Sequence, residues 1–277
     1  MKIYKLRSGA AIEDYGQYYT VPDTTWDEFI NDNDLFQKLT KLLHSGNALK
    51  TDTINEAEVL APVGNQELWA CGVTYLRSKA GRQEESKTAG GADFYAKVYE
   101  AERPEVFFKS TSHRIVGHNA KVNIRKDSTW DVPEPELTLV VTSSGKIVGY
   151  TIGNDMSSRS IEGENPLYLP QAKTYDGCAA IGPCIYVTDK PIDRNTMIYL
   201  EIFRENVKVF EDSVGINQMK RAHGELVSYV YRECSFPNGC LVMTGTGIVP
   251  GSDFTLRSGD EIKISIDNIG TLINIVR

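Results

Sequence analysis

Residues 130–159 decide the fold, and they read W-D-V-P-E-P-E-L-T-L-V-V-T-S-S-G-K-I-V-G-Y-T-I-G-N-D-M-S-S-R. Within this stretch, residues 137–142 and 147–152 are two β-rich apolar runs, and S-S-G-K separates them. A Ser-Gly pair between two such runs is typical of a tight turn. The stretch therefore predicts a β-hairpin with a two-residue Ser-Gly loop, in which Ser143 lies opposite Lys146.

Three carboxylates meet on one side of this predicted hairpin. Counting outward from the turn places Glu134 opposite Asp155, and Glu136 shares the face of Glu134 because side chains alternate along a strand. Like charges so close raise each other's pKa values unless a cation lies among them. Three hard oxygen ligands suit Mg²⁺, Mn²⁺ or Ca²⁺ better than zinc. The spacing alone leaves open that the carboxylates face solvent, and Pro133 and Pro135 indicate an edge strand or a strand that begins late.

The composition is that of an ordinary globular protein, with 277 residues of which 41% are hydrophobic and 24% charged. The net charge of −7 argues against nucleic acid or an anionic membrane as a partner. No apolar run approaches the roughly 18 residues that a membrane helix needs, and the start M-K-I-Y is strand-like and unlike a signal peptide. The odd number of cysteines, without a C-x-x-C pair, favours reduced thiols in a cytoplasm: Cys71, Cys178, Cys184, Cys234 and Cys240.

The chain is expected to divide into a small N-terminal α+β domain, residues 1–63, and a larger domain, residues 64–277. The small domain begins with strand-like sequence, and D-T-T-W-D offers helix caps ahead of apolar residues at helical spacing. It contains no candidate chemistry. The last third of the chain is rich in strand patterns, with a hairpin predicted at residues 197–210 and a turn at Glu205-Asn206.

Polar residues beside the predicted strands are further candidates for a site. The apolar strand 68–75 leads into a polar, glycine-containing stretch at residues 77–91, which is either a solvated loop or a mobile lid over a site. Alternation on the next strand places Glu105, Phe107 and Lys109 on one face. These three residues form either a surface pair around an aromatic side chain or the wall of a site.

Three segments beyond the centre of the hairpin carry candidate side chains. If the chain turns helical after Asp155, Arg159 lies one turn later on the same side, where its fork of donors suits a substrate carboxylate. Lys173 precedes a buried strand and is either a surface residue or, near a divalent cation that favours its neutral amine, a base. The glycine-rich loop 245–251 allows backbone N–H groups and the hydroxyl of Thr246 to approach a ligand closely.

Several motifs follow one another in a fixed order: E-P-E-L at 134–137, N-D-M-S-S-R at 154–159, K-x-x-D-G at 173–177, G-P at 182–183, T-G-T-G at 244–247 and L-R-S-G-D-E-I-K-I-S-I-D-N-I-G-T-L-I-N at 256–274. Together they resemble the fumarylacetoacetate hydrolase family over the region from about residue 64 to the end. The resemblance implies an α+β fold, a mixed β-roll with flanking helices. It also implies that Mg²⁺ or a similar ion binds Glu134, Glu136 and Asp155.

Two departures from the family pattern bear on the chemistry. Hydrolases of the family carry Tyr-x-x-His after the first core strand, where the histidine activates water. Here residues 75–78 read Y-L-R-S, so that Ser78 replaces the histidine. Family hydrolases also often have glutamine where this chain has Glu162. A serine cannot serve unaided as a general base, and hydrolysis of a C–C bond is therefore in doubt.

Four segments resemble the sugar-acid branch of the family, the 2-keto-3-deoxy-D-arabinonate dehydratases: residues 96–109, 133–137, 164–173 and 244–251. The resemblance implies a Mg²⁺-dependent dehydratase of a five-carbon 2-keto-3-deoxy sugar acid, which forms 2,5-dioxopentanoate and water through an enolate. It implies Lys173 as the base and Glu105 as the acid, although the sequence leaves these two roles exchangeable. It further implies four substrate contacts, Tyr75, Arg159, Glu162 and Thr246.

Two alternative functions stay open at this point. The first is an acylpyruvate hydrolase or oxaloacetate decarboxylase of the same family, and the replacement of histidine by Ser78 argues against the hydrolase. The second is a non-catalytic, metal-dependent binder of keto acids, and the presence of both Glu105 and Lys173 argues against it. The resemblance also implies a homodimer or homotetramer whose partner is a small-molecule 2-keto acid.

Overall fold

The structure is a computed structural model that describes residues 1–78, 80 and 97–277. Within these residues, twelve strands form one large sheet, five form a second sheet and two form a short ribbon. Five helices are delimited in the same part of the chain, and residues 97–100 are also helical: α1 (Trp26–Ile30), α2 (Leu35–Ser45), α3 (Arg159–Glu164), α4 (Leu169–Lys173) and α5 (His223–Val230). Sheets with few helices are the α+β architecture that the sequence predicts.

The large sheet contains β1 (Lys2–Leu6), β2 (Gly9–Asp14), β3 (Gln17–Pro22), β4 (Leu49–Thr51), β5 (Val59–Leu60), β6 (Glu67–Gly72), β7 (Glu105–Ser110), β8 (Ile115–Val116), β11 (Pro135–Val141), β12 (Ile147–Asp155), β14 (Ala179–Tyr186) and β17 (Cys240–Met243). Its main path runs β4-β3-β2-β1-β14-β12-β11-β17-β6-β7, with β5 beside β1 and β8 beside β14. The second sheet contains β9 (Ala120–Val122), β15 (Met197–Arg204), β16 (Val207–Gly215), β18 (Glu261–Ile266) and β19 (Gly270–Val276). In the ribbon, β10 (Asp131–Val132) pairs with β13 (Ser157–Ser158).

The predicted hairpin is formed by β11 and β12, and its register differs from the prediction at the turn only. The carbonyl oxygen of Lys146 accepts a hydrogen bond from the N–H of Thr142, so Lys146 lies opposite Thr142 and not opposite Ser143 as predicted. The loop therefore has three residues instead of two. Gly145 adopts a φ of +82° there, which a glycine tolerates at no steric cost. A β-bulge at Val148 then shifts the pairing back by one residue. The outer part of the hairpin therefore has the predicted register.

The hairpin is buried on both faces because it lies between two hydrophobic clusters. Leu137 and Leu139 belong to the cluster that includes the inward side chains of the second sheet, such as Leu200 and Ile264. Val140 belongs to the other cluster, which includes α1, α2 and the first two strands. Every residue of β11 is buried as a result. Burial on both faces explains the continuous apolar run in its sequence.

The N-terminal residues are joined to the rest of the chain by strand pairing and by a shared core. β1 pairs with β14, so that the first strands extend the large sheet. Trp26, Phe29 and Leu39 belong to the same hydrophobic cluster as Leu68 and Ile181. The boundary proposed at residue 63 therefore crosses a continuous sheet and core, and the autonomy of residues 1–63 stays a prediction.

Other sequence predictions about the fold have mixed outcomes. The hairpin of the last third is confirmed, since β15 and β16 pair around Glu205 and Asn206, which have φ values of +50° and +66°. All five cysteines are free, and only Cys234 is exposed. The condition that the chain turns helical directly after Asp155 is not met, because β12 ends at Asp155, β13 follows at Ser157–Ser158 and α3 begins only at Arg159. Among the described residues, no helix combines the length and apolarity needed to cross a membrane.

Candidate active site

The three carboxylates of the hairpin converge in the interior of the protein. Glu134 and Asp155 exchange both backbone hydrogen bonds, at N–O distances of 3.2 and 2.9 Å, so their side chains emerge side by side. Glu136 lies two residues further along the same strand face. One oxygen of each carboxylate lies within 4.8 Å of the others, and all three residues are buried. The predicted convergence is therefore confirmed.

Three cationic side chains surround this carboxylate triad. Lys173, at the end of α4, donates from Nζ to Glu134 Oε2 at 2.6 Å and to Asp155 Oδ2 at 3.0 Å. Arg159, at the start of α3, donates from Nη2 to Glu134 Oε1 at 2.6 Å. Lys109 Nζ, on β7, lies 2.5 Å from Asp155 Oδ1. Buried carboxylates are stable only with such partners, because removing a charge from water costs several kcal/mol.

The sequence did not identify Lys109 as part of the site. Local alternation left it either on the surface or in a site wall, whereas the structure buries it completely at 0% exposure. Its ammonium also donates to the carbonyl oxygens of Met156, at 2.9 Å, and of Lys173. A lysine that follows two aromatic residues on a partly buried strand is a weak signal for such a position, because burial depends on strands far away in sequence.

The local charges act on the pKa values of two members of the triad in opposite directions. For Glu136, burial raises the pKa, and the nearby charges of Asp155 and Glu134 raise it further. For Asp155, burial alone would raise the pKa, but Lys109 and Lys173 outweigh it and hold the pKa below its ordinary value. The site therefore favours the ionised form of Asp155, and a nearby cation would offset the raised pKa of Glu136.

Glu105 lies at the start of β7, directly opposite Gly72 on β6. Its Oε2 atom is buried and has no hydrogen-bond partner among the described residues. A Cβ atom on Gly72 would lie 1.9 Å from this oxygen and 2.7 Å from Cδ. The absence of a side chain at residue 72 therefore creates the space in which the carboxylate of Glu105 lies.

The remaining sequence candidates occupy different positions around the triad. Thr246 and Ser78 line the cavity that the triad also lines, together with Cys71, Gly72 and Phe107. Both hydroxyls bond locally: Thr246 Oγ1 donates to the carbonyl oxygen of Ile248, at 3.1 Å, and Ser78 Oγ donates to that of Tyr75, at 2.8 Å. In the loop after β17, the N–H of Gly245 donates to Glu136 Oε2 at 2.6 Å.

Tyr75 and Glu162 are buried but do not line this cavity in the described part of the chain. The phenolic hydroxyl of Tyr75 has no hydrogen-bond partner among the described residues, and burial together with the charge of Glu136 raises its pKa. Glu162 lies on α3, three residues after Arg159. Most of the stretch predicted to be either a loop or a lid, residues 79 and 81–91, lies outside the described residues.

The arrangement suits a hard divalent cation and an anionic ligand. Three buried carboxylates offer the oxygen donors that Mg²⁺ prefers. With all three carboxylates ionised, the triad would carry three negative charges, which Lys109, Arg159 and Lys173 would balance. A divalent cation would give this group a net positive charge, which would attract the carboxylate of a small acid.

Comparisons with known proteins agree with this geometry. The family model for the C-terminal region of fumarylacetoacetate (FAA) hydrolase matches residues 76–277. A probable 2-keto-3-deoxyxylonate dehydratase of Haloferax volcanii is 46% identical over 226 residues, which are 81% of this chain and 77% of the relative. A 2-dehydro-3-deoxy-D-arabinonate dehydratase of Saccharolobus solfataricus is 45% identical over 231 residues, which are 83% of this chain and 78% of the relative.

The fold as a whole also matches a solved structure. A 2-keto-3-deoxy-D-arabinonate dehydratase complexed with magnesium and 2,5-dioxopentanoate superposes with a TM-score of 0.83 and 35% sequence identity. The match covers 100% of this chain and 99% of that one. It therefore includes the N-terminal residues, which the family model does not.

Proposed function

The chain belongs to the fumarylacetoacetate hydrolase family, and on this premise we propose that it is a Mg²⁺-dependent dehydratase of a 2-keto-3-deoxy sugar acid. The reaction removes water from 2-dehydro-3-deoxy-D-arabinonate and gives 2,5-dioxopentanoate, which makes the protein a lyase. One observation carries the proposal: a buried amine, that of Lys173, bonds directly to two carboxylates of a triad that fits a divalent cation.

Glu134, Glu136 and Asp155 would hold the Mg²⁺ ion, since they are the one group of clustered carboxylates, thiols or imidazoles found in the described residues. When bound, the ion withdraws electron density from the keto group of the substrate and so makes the proton on C3 more acidic. The guanidinium of Arg159 lies beside Glu134 and is suited to bind the carboxylate of the substrate.

Lys173 and Glu105 are the residues that we assign to proton transfer. With a divalent cation at the triad, which would favour the neutral amine, Lys173 would take the proton from C3, since its amine lies where an anionic keto acid would bind. Glu105 would protonate the hydroxyl that leaves from C4, so that a C–O bond breaks and water departs. Transfer of one proton from C5 to C3 and of the C5 hydroxyl proton to C4 then gives 2,5-dioxopentanoate, with the same atoms as the substrate minus one water.

The alternative of a hydrolase is disfavoured by the surroundings of Ser78. Its hydroxyl donates to the carbonyl oxygen of Tyr75 at 2.8 Å and accepts from the N–H of the same residue at 3.2 Å. No basic side chain is among its hydrogen-bond partners in the described residues. A hydroxyl held in this way does not activate a water molecule, whereas elimination of water needs no such residue.

One assay tests the proposed function directly. Purified protein is incubated with 2-keto-3-deoxy-D-arabinonate and Mg²⁺, and formation of the aldehyde 2,5-dioxopentanoate is followed. We expect turnover with Mg²⁺ and its loss after treatment with a chelator, with recovery when Mg²⁺ is added back. Acylpyruvates and oxaloacetate serve as comparison substrates. Turnover of these compounds without turnover of the sugar acid would contradict the proposal.

A second prediction concerns the space that Gly72 leaves for Glu105. In Gly72→Ala, the new methyl group would displace the carboxylate, whose Oε2 lies 1.9 Å from the Cβ position. A displacement of about 1 Å at a reacting group can lower the rate about 100-fold, so we expect kcat to fall by that order. The free energy of unfolding should change little, because the flexible end of a glutamate side chain can move.

A double-mutant cycle separates this effect from a general disturbance. Glu105→Gln alone should lower kcat at least as strongly as Gly72→Ala, and the two changes together should cost no more than Glu105→Gln. Gly224→Ala is the matched control, because a Cβ atom on Gly224 meets nothing within 4 Å. Losses that multiply in the double variant, or near-normal turnover of Gly72→Ala, would contradict the assigned role of Glu105.

The oligomeric state and the compartment are proposals that rest on the family alone. We expect a homodimer or homotetramer in a cytoplasm, and light scattering coupled to gel filtration measures the former. The exposed side chains of Val207 and Val209 lie on β16, the edge strand of the second sheet, and they agree with a contact between subunits.

A further inference from the structure

Each carboxylate of the triad has one of its two oxygens bonded to a fixed donor. Oε1 of Glu134 accepts from Arg159, Oε2 of Glu136 accepts from the N–H of Gly245, and Oδ1 of Asp155 contacts Lys109. These donors belong to three separate elements. Arg159 lies on α3, Lys109 lies on β7, and Gly245 lies in the loop that follows β17. The same pattern at three independent positions leaves one oxygen of each carboxylate without a fixed donor.

The other oxygens of two of these carboxylates point to one place. A single atom, Nζ of Lys173, lies 2.6 Å from Glu134 Oε2 and 3.0 Å from Asp155 Oδ2. The carboxylate oxygens that converge are therefore distinct from the oxygens that Arg159 and Lys109 hold. Lys173 contacts these inner oxygens of Glu134 and Asp155, and the three fixed donors contact the outer oxygens of the triad.

The fixed donors are held in place by the fold. The Lys109 ammonium donates to the carbonyl oxygens of Met156 and Lys173, and it lies 2.5 Å from Oδ1 of Asp155. Lys109 is therefore held at a fixed, fully buried position. At Gly245, φ is +92° and a Cβ atom would lie 2.1 Å from Oγ1 of Thr74, so that only glycine can direct this N–H to Glu136.

We propose that these three donors select Mg²⁺ over Ca²⁺ by making every carboxylate of the triad a one-oxygen ligand. Mg²⁺ binds six oxygens in a compact octahedron and keeps several waters, so one oxygen from each carboxylate is sufficient. Ca²⁺ takes six to eight oxygens and gains from carboxylates that bind through both. The inference rests on the metal site of the proposed function, and it assigns Lys109 a positioning role rather than a catalytic one.

Metal binding without substrate tests this inference. Isothermal titration calorimetry with MgCl₂ and CaCl₂ gives the ratio of the two dissociation constants for wild-type protein and for Lys109→Met. We expect wild-type protein to bind Mg²⁺ more tightly than Ca²⁺. Lys109→Met frees Oδ1 of Asp155, and the preference of this variant for Mg²⁺ over Ca²⁺ should fall about tenfold. Mutation of a residue that bonds to a metal ligand typically changes metal affinity by about this factor.

Lys173→Met is the matched control for charge. It removes an equally buried ammonium from the triad, where Lys173 contacts Asp155 and Glu134, but it frees no outer oxygen. Its affinities for both cations should rise together, leaving the ratio unchanged. Equal changes of the ratio in Lys109→Met and Lys173→Met would show an effect of charge alone and overturn the inference, as would an unchanged ratio in Lys109→Met.

A second variant protects the test against loss of the fold in Lys109→Met. Arg159→Met frees Oε1 of Glu134 and should lower the preference for Mg²⁺ in the same direction. Circular dichroism and an unfolding curve establish that each variant is folded before titration. Because no substrate is present, a failure of the ratio to change is distinguishable from a failure of the dehydratase assay.

Discussion

Lys173→Met should abolish turnover of 2-keto-3-deoxy-D-arabinonate almost completely. The amine is the only nitrogen of the described residues that bonds to two members of the triad. Loss of a general base lowers rates by about 10²–10⁴-fold, and we expect the upper part of this range because the site is fully buried. Steady-state kcat at saturating Mg²⁺ gives the measurement.

The affinity of this variant for Mg²⁺ separates loss of the base from loss of the metal. If Lys173 acts only by holding Glu134 and Asp155 together, the variant should bind Mg²⁺ poorly and recover turnover at high Mg²⁺. If Lys173 is the base, Mg²⁺ binds at least as well as in wild-type protein and turnover stays low. Lys208→Met is the control, because Lys208 also bridges two carboxylates, Glu201 and Glu211, but lies on the surface. Near-normal kcat in Lys173→Met would remove Lys173 from the mechanism.

The carboxylate triad could be predicted from sequence because its geometry is local. Strand alternation and one turn are sufficient to bring Glu134, Glu136 and Asp155 together, and the order of the motifs reinforces this pattern. The predicted register of the outer hairpin is correct although the predicted turn is wrong, because the bulge at Val148 compensates for the extra loop residue. No sequence rule of hairpins would have predicted both deviations, although together they leave the outer register unchanged.

The cationic half of the site was less predictable because it depends on contacts between distant segments. Lys109 comes from β7 at the edge of the main path of the large sheet, and it reaches Asp155 only because other strands fold around it. The space beside Glu105 is equally non-local, since it is created by Gly72 on the neighbouring strand. The pairing of β1 with β14 likewise joins residues more than 180 positions apart, which hydrophobic periodicity does not detect.

Asp155→Asn should destabilise the folded protein more than most single substitutions. The amide keeps the size of the carboxylate but removes its charge, and it leaves Lys109 and Lys173 with one anionic partner fewer in a site without access to water. Breaking a buried ion pair in this way costs about 3–5 kcal/mol of unfolding free energy. Turnover should also fall below detection, because the triad loses a ligand.

Urea unfolding at pH 7 in the presence of a chelator measures this cost without a contribution from bound metal. The pKa of Asp155 is lowered in the folded protein, so its stabilising effect is complete above the ordinary value of about 4 and is lost as pH falls through the lower folded value. At pH 7 the wild-type carboxylate is therefore fully charged.

Asp34→Asn is the matched control, since Asp34 pairs with Lys146 at 3.4 Å on the surface and should contribute less than about 1 kcal/mol. Equal unfolding free energies for the two variants would mean that the charges around Asp155 are not desolvated. The triad would then be open to water, and the pairing of three carboxylates with three cations in the core would lose its explanation.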